Sequence, residues 1–354
     1  MSRPTTGDLP HYGPLKKFLV FIGQYPQQTD YTRVSIYALH LGTYISLLVP
    51  LFRMLYNLVI NEWESLKLKD DAKILDEITR NGTYIAFLYR TTLLGFLVLF
   101  AFLPLMPLVL DIIIPLNETR PKQQVFKLNY LVDGDEYFYP IYFHSVLSSV
   151  LAVTVIVTID SMYMIITHHA CGLFAMCGNQ LKDVTQNLEG NSDNTTKEKA
   201  IYQQFRNCVL IHKRAIQFYE HINNINERAF LIQIGINMIA ISLTAVQLVL
   251  NLDNTREAIR IGVFLVAQQF HLFFNSLPGQ SLLDHSFQLL DDLYSSNWYR
   301  APVRMQRVIY MMQIRSGIPC TLTAGGLYDM NIENFGMIFK SCMSYFTMLL
   351  SLRE

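Results

Sequence analysis

The fold class this sequence predicts is an all-α, polytopic membrane helical bundle, and three observations predict it. Of the 354 residues, 51% are hydrophobic and only 16% are Asp, Glu, Lys or Arg, against about 25% charge in soluble domains. The apolar residues gather in runs long enough to cross a bilayer, and the polar segments between them carry apolar residues at helical rather than strand spacing. Lys plus Arg equals Asp plus Glu, 28 each, so no net field attracts nucleic acid.

A spanning helix needs about 20 mostly apolar residues, since the hydrocarbon core is about 30 Å thick and each residue rises about 1.5 Å. Six clear spans follow, over 34–60, 84–116, 138–167, 229–250, 258–277 and 335–352. The second carries Pro104, Pro107 and Pro115; a membrane helix holds prolines as kinks or as its exit, and this one is expected to end near Pro115. The segment 1–17 lacks the basic-then-apolar pattern of a cleavable signal peptide, so insertion is expected to begin at an internal span.

Two further segments are helical without being apolar all round. Over 199–228, Tyr202, Phe205, Val209, Ile216, Tyr219 and Ile222 recur at steps of three, four or seven, the mark of an amphipathic helix. With no Pro or Gly before the next span, one helix is expected from 199 to 250, half of it outside lipid. Beyond the fifth span, Leu283, Phe287, Leu290 and Tyr294 mark one face of a helix running to Asn297. Such projecting helices must pack together or on neighbours, which predicts a cytosolic helical anchor. Residues 188–196 read as a loop tip.

Placing 61–83, 171–228 and 295–330 on one side gathers 15 basic residues there and leaves about 10 on the other. The positive-inside rule then puts 171–228 in the cytosol. The resulting division is 1–170, transmembrane spans on the ligand-pocket side; 171–228, cytosolic loop and helix; 229–278, transmembrane spans; 279–330, cytosolic anchor helices; and 331–354, a final helix.

Few residues point to chemistry. His168, His169, Cys171 and Cys177 cluster after the third span, but metal sites favour pairs such as C-x2-C, so polar packing at a helix end is expected, and no metal or cofactor. The five cysteines are expected to be free thiols. Asp160 and Arg90 lie in apolar segments, where an ionisable group is either functional or snorkels to water; snorkelling is the expectation. His144 and Ser148, four apart, share one face, toward a ligand or a neighbouring helix. No H-E-x-x-H, P-loop or G-x-S-x-G pattern occurs, so nothing argues for an enzyme.

The runs GQSLLDHS at 279–286, LYSSNWYRAP at 293–302, QIRSGIPCTLTAGGLYDMNIENF at 313–335 and KSCMSYFTMLLSL at 340–352 resemble the C-terminal signature of insect odorant receptors. Weaker resemblance continues in FLPLMPLVLDIIIPLNETRP, EYFYPIYFHS and FLVFIGQYP. The resemblance implies seven spans, a cytosolic N-terminus, an external C-terminus and four subunits around a cation pore. It implies a split last span, with an anchor half at 299–317 and a pore half at 331–352; the TAGG run at 323–326 is a chain break between them.

By the same resemblance the chain is the odorant-binding subunit of a ligand-gated, non-selective cation channel in the plasma membrane of an olfactory neuron dendrite. Its partners are the family's co-receptor in a heterotetramer, small volatile odorants and membrane lipid, with no G protein required. Pore candidates are Ser344, Tyr345 and Thr347, beside Phe346, with Met348 and Leu352 as gate. Anchor or interface candidates are Leu283, Phe287, Trp298, Tyr299 and Arg307. On depth and helical spacing, Gly95, Val98, Phe102, His144 and Ser148 are the expected pocket.

One departure stands out. Glu62, Trp63, Lys73, Ile74, Asp76, Glu77 and Gly82 resemble the family's cytosolic loop after its second span, yet one apolar stretch precedes them. The second span is expected to be missing, or fused with the first near 51–60. A gustatory-type receptor channel and a non-conducting membrane protein stay open as alternatives. A G-protein-coupled receptor lacks its DRY-like and N-P-x-x-Y motifs here.

Overall fold

The computed structural model of the protein describes residues 69–114, 120, 124–126, 133, 136–188 and 195–353. The expected first span, the fused second span and most of the 188–196 loop tip lie outside the described residues. Seven helices and one small hairpin make up the described part: α1 (Lys69–Phe102), α2 (Met106–Ile113), α3 (Phe138–Asn187), α4 (Thr195–Leu250), α5 (Thr255–Ser295), α6 (Val303–Ser316), β1 (Thr323–Ala324), β2 (Tyr328–Asp329) and α7 (Ile332–Arg353).

Among the described residues, three helices are long and apolar enough to cross a membrane, Lys73–Ile113, Phe138–Asn187 and Lys199–Leu250. The other expected spans, 258–277 and 335–352, form as helices but are not among these three; the first carries Gln268, Gln269, His271 and Asn275 in its apolar half. The proline-rich stretch behaves as expected. A 3-10 turn at Leu103–Leu105 joins α1 to α2, and α2 ends at Ile113, with Ile114 N–H bonded to Leu110 C=O at 2.8 Å.

The unbroken helix expected over 199–250 is present and longer, 56 residues, about 84 Å at about 1.5 Å per residue. Two expectations are corrected. The stretch 61–83 is helix from Lys69 onward, its Leu75 fully buried. The stretch expected as a loop from 171 is helix as far as Asn187, because α3 runs 50 residues. The boundaries at 170/171, 228/229 and 278/279 therefore fall inside helices and mark levels along the bundle. Helix-forming sequence continues past each apolar run, and only neighbours of a different solvent mark the change.

At one end of the bundle these extensions interlock. Leu75, Leu173, Met176, Leu181, Leu282, Leu289, Leu293 and Met305 are all at most 2% exposed. Glycines permit the close approach: a Cβ on Gly279 would fall 1.7 Å from the Met330 carbonyl oxygen. His168, His169, Cys171 and Cys177 lie in this packed core. Polar packing is what they do, since the His168 Nδ1 is 2.8 Å from the Met164 carbonyl and the thiols of Cys177 and Cys208 are 3.7 Å apart. All five cysteines are free thiols, and no group of His, Cys, Asp and Glu among the described residues is arranged to hold a metal.

The link between α6 and α7 is tied to α4. Asn223 accepts from Thr323 N–H at 2.9 Å, Thr321 C=O accepts from Tyr219 O–H at 2.9 Å, and Glu227 C=O accepts from Gly325 N–H at 3.1 Å. Gly325 and Gly326 take φ of 64° and 66°, with Leu327 N–H returning to Ala324 C=O. Consecutive positive φ values suit a mirror-image turn and favour glycine. The TAGG break is thus a hairpin. Burial pushes the nearby Cys320 thiol up to about 11, which keeps it protonated and unreactive.

Candidate functional site

Toward the other end the four long helices separate and line a half-open cavity of about 540 Å³, within the range of small-molecule sites. Helix α1 contributes Phe96 and Phe100, α3 Ser149, Ala152 and Val153, α4 Ile236 and Ala240, and α5 Val263, Phe264 and Ala267. Phe126, in the chain between α2 and α3, covers one side, its ring 5.7 Å from that of Phe100, which lies 5.9 Å from Phe264. These three rings also line a smaller cavity of about 440 Å³ beyond them, whose wall holds Arg260 and Glu257. Arg260 pairs with Glu257 and donates to the carbonyls of Gln124 and Val125 at 2.8 and 3.2 Å, so α5 fastens the segment that bears Phe126.

The opposite end of the larger cavity is polar. Asp160 on α3, 4% exposed, accepts from the Tyr89 hydroxyl, from His271 Nε2 at 2.9 Å and from Asn275 Nδ2 at 3.4 Å. The Gln233 amide lies 3.5 Å from the same ring nitrogen of His271. Asp160 therefore does not snorkel: burying a carboxyl among helices is tolerable because donors from α1 and α5 meet it. Arg90, in contrast, is exposed and stacks over Phe87 at 5.8 Å. No acid, base and nucleophile converge on an open position here, and the apolar wall suits binding better than chemistry.

A family model described as 7tm Odorant receptor matches residues 51–343. The chain belongs to the insect odorant receptor family. Odorant receptor 9a of Drosophila melanogaster is 22% identical over 220 residues, covering 61% of this receptor and 52% of that one. Odorant receptor Or2 of Anopheles gambiae is 24% identical over 155 residues, covering 42% of this receptor and 39% of that one. The receptor thus matches about half or less of the length of these curated relatives. In fold it is similar to the insect olfactory receptor OR5 from Machilis hrabei, solved in complex with eugenol. The TM-score is 0.64 at 14% identity, over 99% of this chain and 83% of that one. It is a multi-pass, all-α membrane receptor.

The expected pocket residues sit elsewhere in the receptor. Gly95, Val98, Phe102, His144 and Ser148 are all exposed on the outer faces of α1 and α3, Val98 at 69%, and none lines the cavity. Their neighbours Phe96, Leu97, Phe100 and Ser149 do. Relative to this cavity the expected residues are turned by about 100° per residue step: a span apolar on every side carries no periodic signal of which face is inward. Tyr89, Gln233, His271 and Asn275 were missed, although Gln268, His271 and Asn275 at i, i+3 and i+7 on one apolar span were a legible hint.

The anchor candidates fall at the packed end but on its outside. Leu283 and Trp298 are half-buried and Phe287, Tyr299 and Arg307 exposed, while the inward stripe of α5 is Leu282, Ser286, Leu289 and Leu293. On α7, Ser344, Tyr345, Thr347 and Met348 are exposed and Phe346 is half-buried. Tyr345 also lines a cavity of about 390 Å³ between α4 and α7. Leu352 belongs to the α7 backbone; its side chain lies outside the described residues.

Proposed function

We propose that this receptor is the odorant-binding subunit of an odour-gated, non-selective cation channel, working with the family's co-receptor in the plasma membrane of an olfactory neuron dendrite. The observation that carries the proposal is the cavity among α1, α3, α4 and α5: largely apolar, sized for a volatile molecule and flanked by three aromatic rings. No bond is made or broken. A ligand that fits the cavity better when the channel is open shifts the gating equilibrium by its difference in affinity.

The exposed apolar side chains of the anchor support an assembly of several subunits. Phe287, Tyr299, Tyr310, Met311 and Ile314 are 47–62% exposed, and apolar faces of this kind are covered by partners. Helix α7, uncovered along Met337, Met343 and Met348, suits the pore-lining role. There Met348 and Leu352, four residues apart, would form two apolar rings that close the pore by dewetting. In this arrangement 171–228 is cytosolic, and an epitope inserted at Asn191 is stained only after permeabilisation; staining of intact cells would reverse the topology.

The decisive experiment is co-expression with the co-receptor in cells lacking both, with current recording across a broad odorant panel. Some odorants evoke inward current, and Ala240→Trp, which fills the cavity, abolishes it at unchanged surface level. A channel at the surface that answers no odorant, or answers equally with the cavity filled, contradicts the proposal.

A further inference from the structure

The polar end of the cavity carries a statement about which ligands fit. Among the described residues, every hydrogen bond that Asp160 receives, from Tyr89, His271 and Asn275, ends on the same oxygen, Oδ2. The other carboxyl oxygen, Oδ1, has no hydrogen-bond partner among the described residues, and Asp160 is part of the cavity wall. An acceptor on a largely apolar cavity wall with no donor to meet it is costly, on the order of 1–3 kcal/mol. Gln268 Oε1 on the same wall is buried and likewise has no hydrogen-bond partner among the described residues; Ser149, Gln233, Asn237 and His271 are the other polar side chains there, and Phe96, Phe100, Val153, Ala240 and Phe264 are apolar.

From this we infer that the cavity selects ligands that donate a hydrogen bond, an apolar or aromatic body with a hydroxyl or amine head directed at Asp160. The inference rests on the reading of this cavity as the odorant site and specifies its chemistry. A donor head supplies what Oδ1 lacks. An acceptor-only head of equal size, such as an aldehyde or an ether, brings a lone pair against a lone pair and strips the carboxyl of any remaining water. Sites built to pair one polar group discriminate strongly against isosteres that lack it. Selectivity therefore comes from the sign of the head group, and the aromatic wall sets only size and shape.

The neighbours that hold Oδ2 also make the site reversible by a single atom. In Asp160→Asn, Tyr89 and His271 still require an oxygen, so the carboxamide oxygen takes the Oδ2 position and the NH2 group turns to the cavity. The wall then donates where it accepted, and the preference among ligands inverts. Tyr89→Phe removes one donor from Oδ2 while keeping the ring, leaves the carboxyl more acceptor capacity, and raises the preference for donors.

The test uses the full chain purified in lipid nanodiscs and ligand-induced shifts of its unfolding temperature, which need no channel current. The probes are octanol and octylamine against octanal and octyl methyl ether, with benzyl alcohol against benzaldehyde. Donors are expected to bind about tenfold tighter than acceptors, the order to reverse in Asp160→Asn, and the donor preference to increase in Tyr89→Phe. Equal affinity for both classes, unchanged in these variants, overturns the inference and leaves the pocket intact. If Asp160→Asn does not fold, an unchanged donor-to-acceptor ratio in Tyr89→Phe overturns it equally. Absence of binding by every probe, or binding that survives Ala240→Trp, refutes the pocket itself and this inference with it.

Discussion

In α3, residues 139–156 are mostly apolar and mostly exposed, whereas 163–178 are almost wholly buried although they include His168, His169, Cys171 and Cys177. Burial and hydrophobicity run in opposite directions along one helix. In water that would be unstable; in a bilayer it is expected, because lipid solvates Val, Leu and Ile while leaving the packed end to hold the helices together. The glycines divide the same way. A Cβ on Gly82, Gly178 or Gly279 would meet a neighbour within 2.6 Å, and on Gly95, Gly235 or Gly262 nothing within 4 Å. One end is built to be rigid, and the other leaves room for a ligand.

The largest effect expected from this division is Gly279→Ala, which drives a methyl group into the Met330 carbonyl and costs on the order of 3 kcal/mol or more. Surface biotinylation should fall several-fold, while Gly235→Ala is delivered normally. Equal delivery would erase the contrast between the ends. Next comes a paired test within one helix. Phe100→Ala, on the cavity wall, should weaken the response about tenfold by loss of aromatic contact, and Phe102→Ala, facing outward, should leave dose-response curves unchanged.

Helix α7 belongs to neither pattern, largely exposed along Met337, Met343 and Met348. If partner subunits cover it around a pore, Met348→Ser and Leu352→Ser raise current in the absence of odorant several-fold, and Leu349→Ser less. Unchanged basal current and ion permeability in channels confirmed at the surface would remove both residues from the gate. Smallest is Lys182→Ala at the packed end. Its ion pair with Asp292 is 2.7 Å long but the lysine side chain is 40% exposed, so solvent screens it and the loss is below about 1 kcal/mol.

Much of this plan was legible in the sequence, for reasons the particular residues make plain. Apolar runs, the missing breakers across 199–250 and the TAGG run placed the helices and the break between the last two, because length and backbone freedom act locally. What misled was a span apolar all round: Val98 and Leu97 are alike in chemistry, and only their neighbours decide that one faces outward and the other the cavity. The extension of helix back to Lys69 was hidden by a polar stretch, KDDAKILDEITRNGT, in which only Leu75 and Gly82 are buried among the described residues. The partners of Asp160 were invisible for a different reason. Tyr89 and His271 stand 71 and 111 residues away from it, and no spacing rule reaches across separate spans.

The measurement that bears most directly on the account is a structure of this receptor with an activating odorant bound, in the presence of the proposed co-receptor. The account predicts ligand density among Phe96, Ser149, Ala240 and His271, with the polar end of the molecule toward Asp160. Density on the outer faces at Val98 and His144, or only in the cavity between α4 and α7, would contradict it.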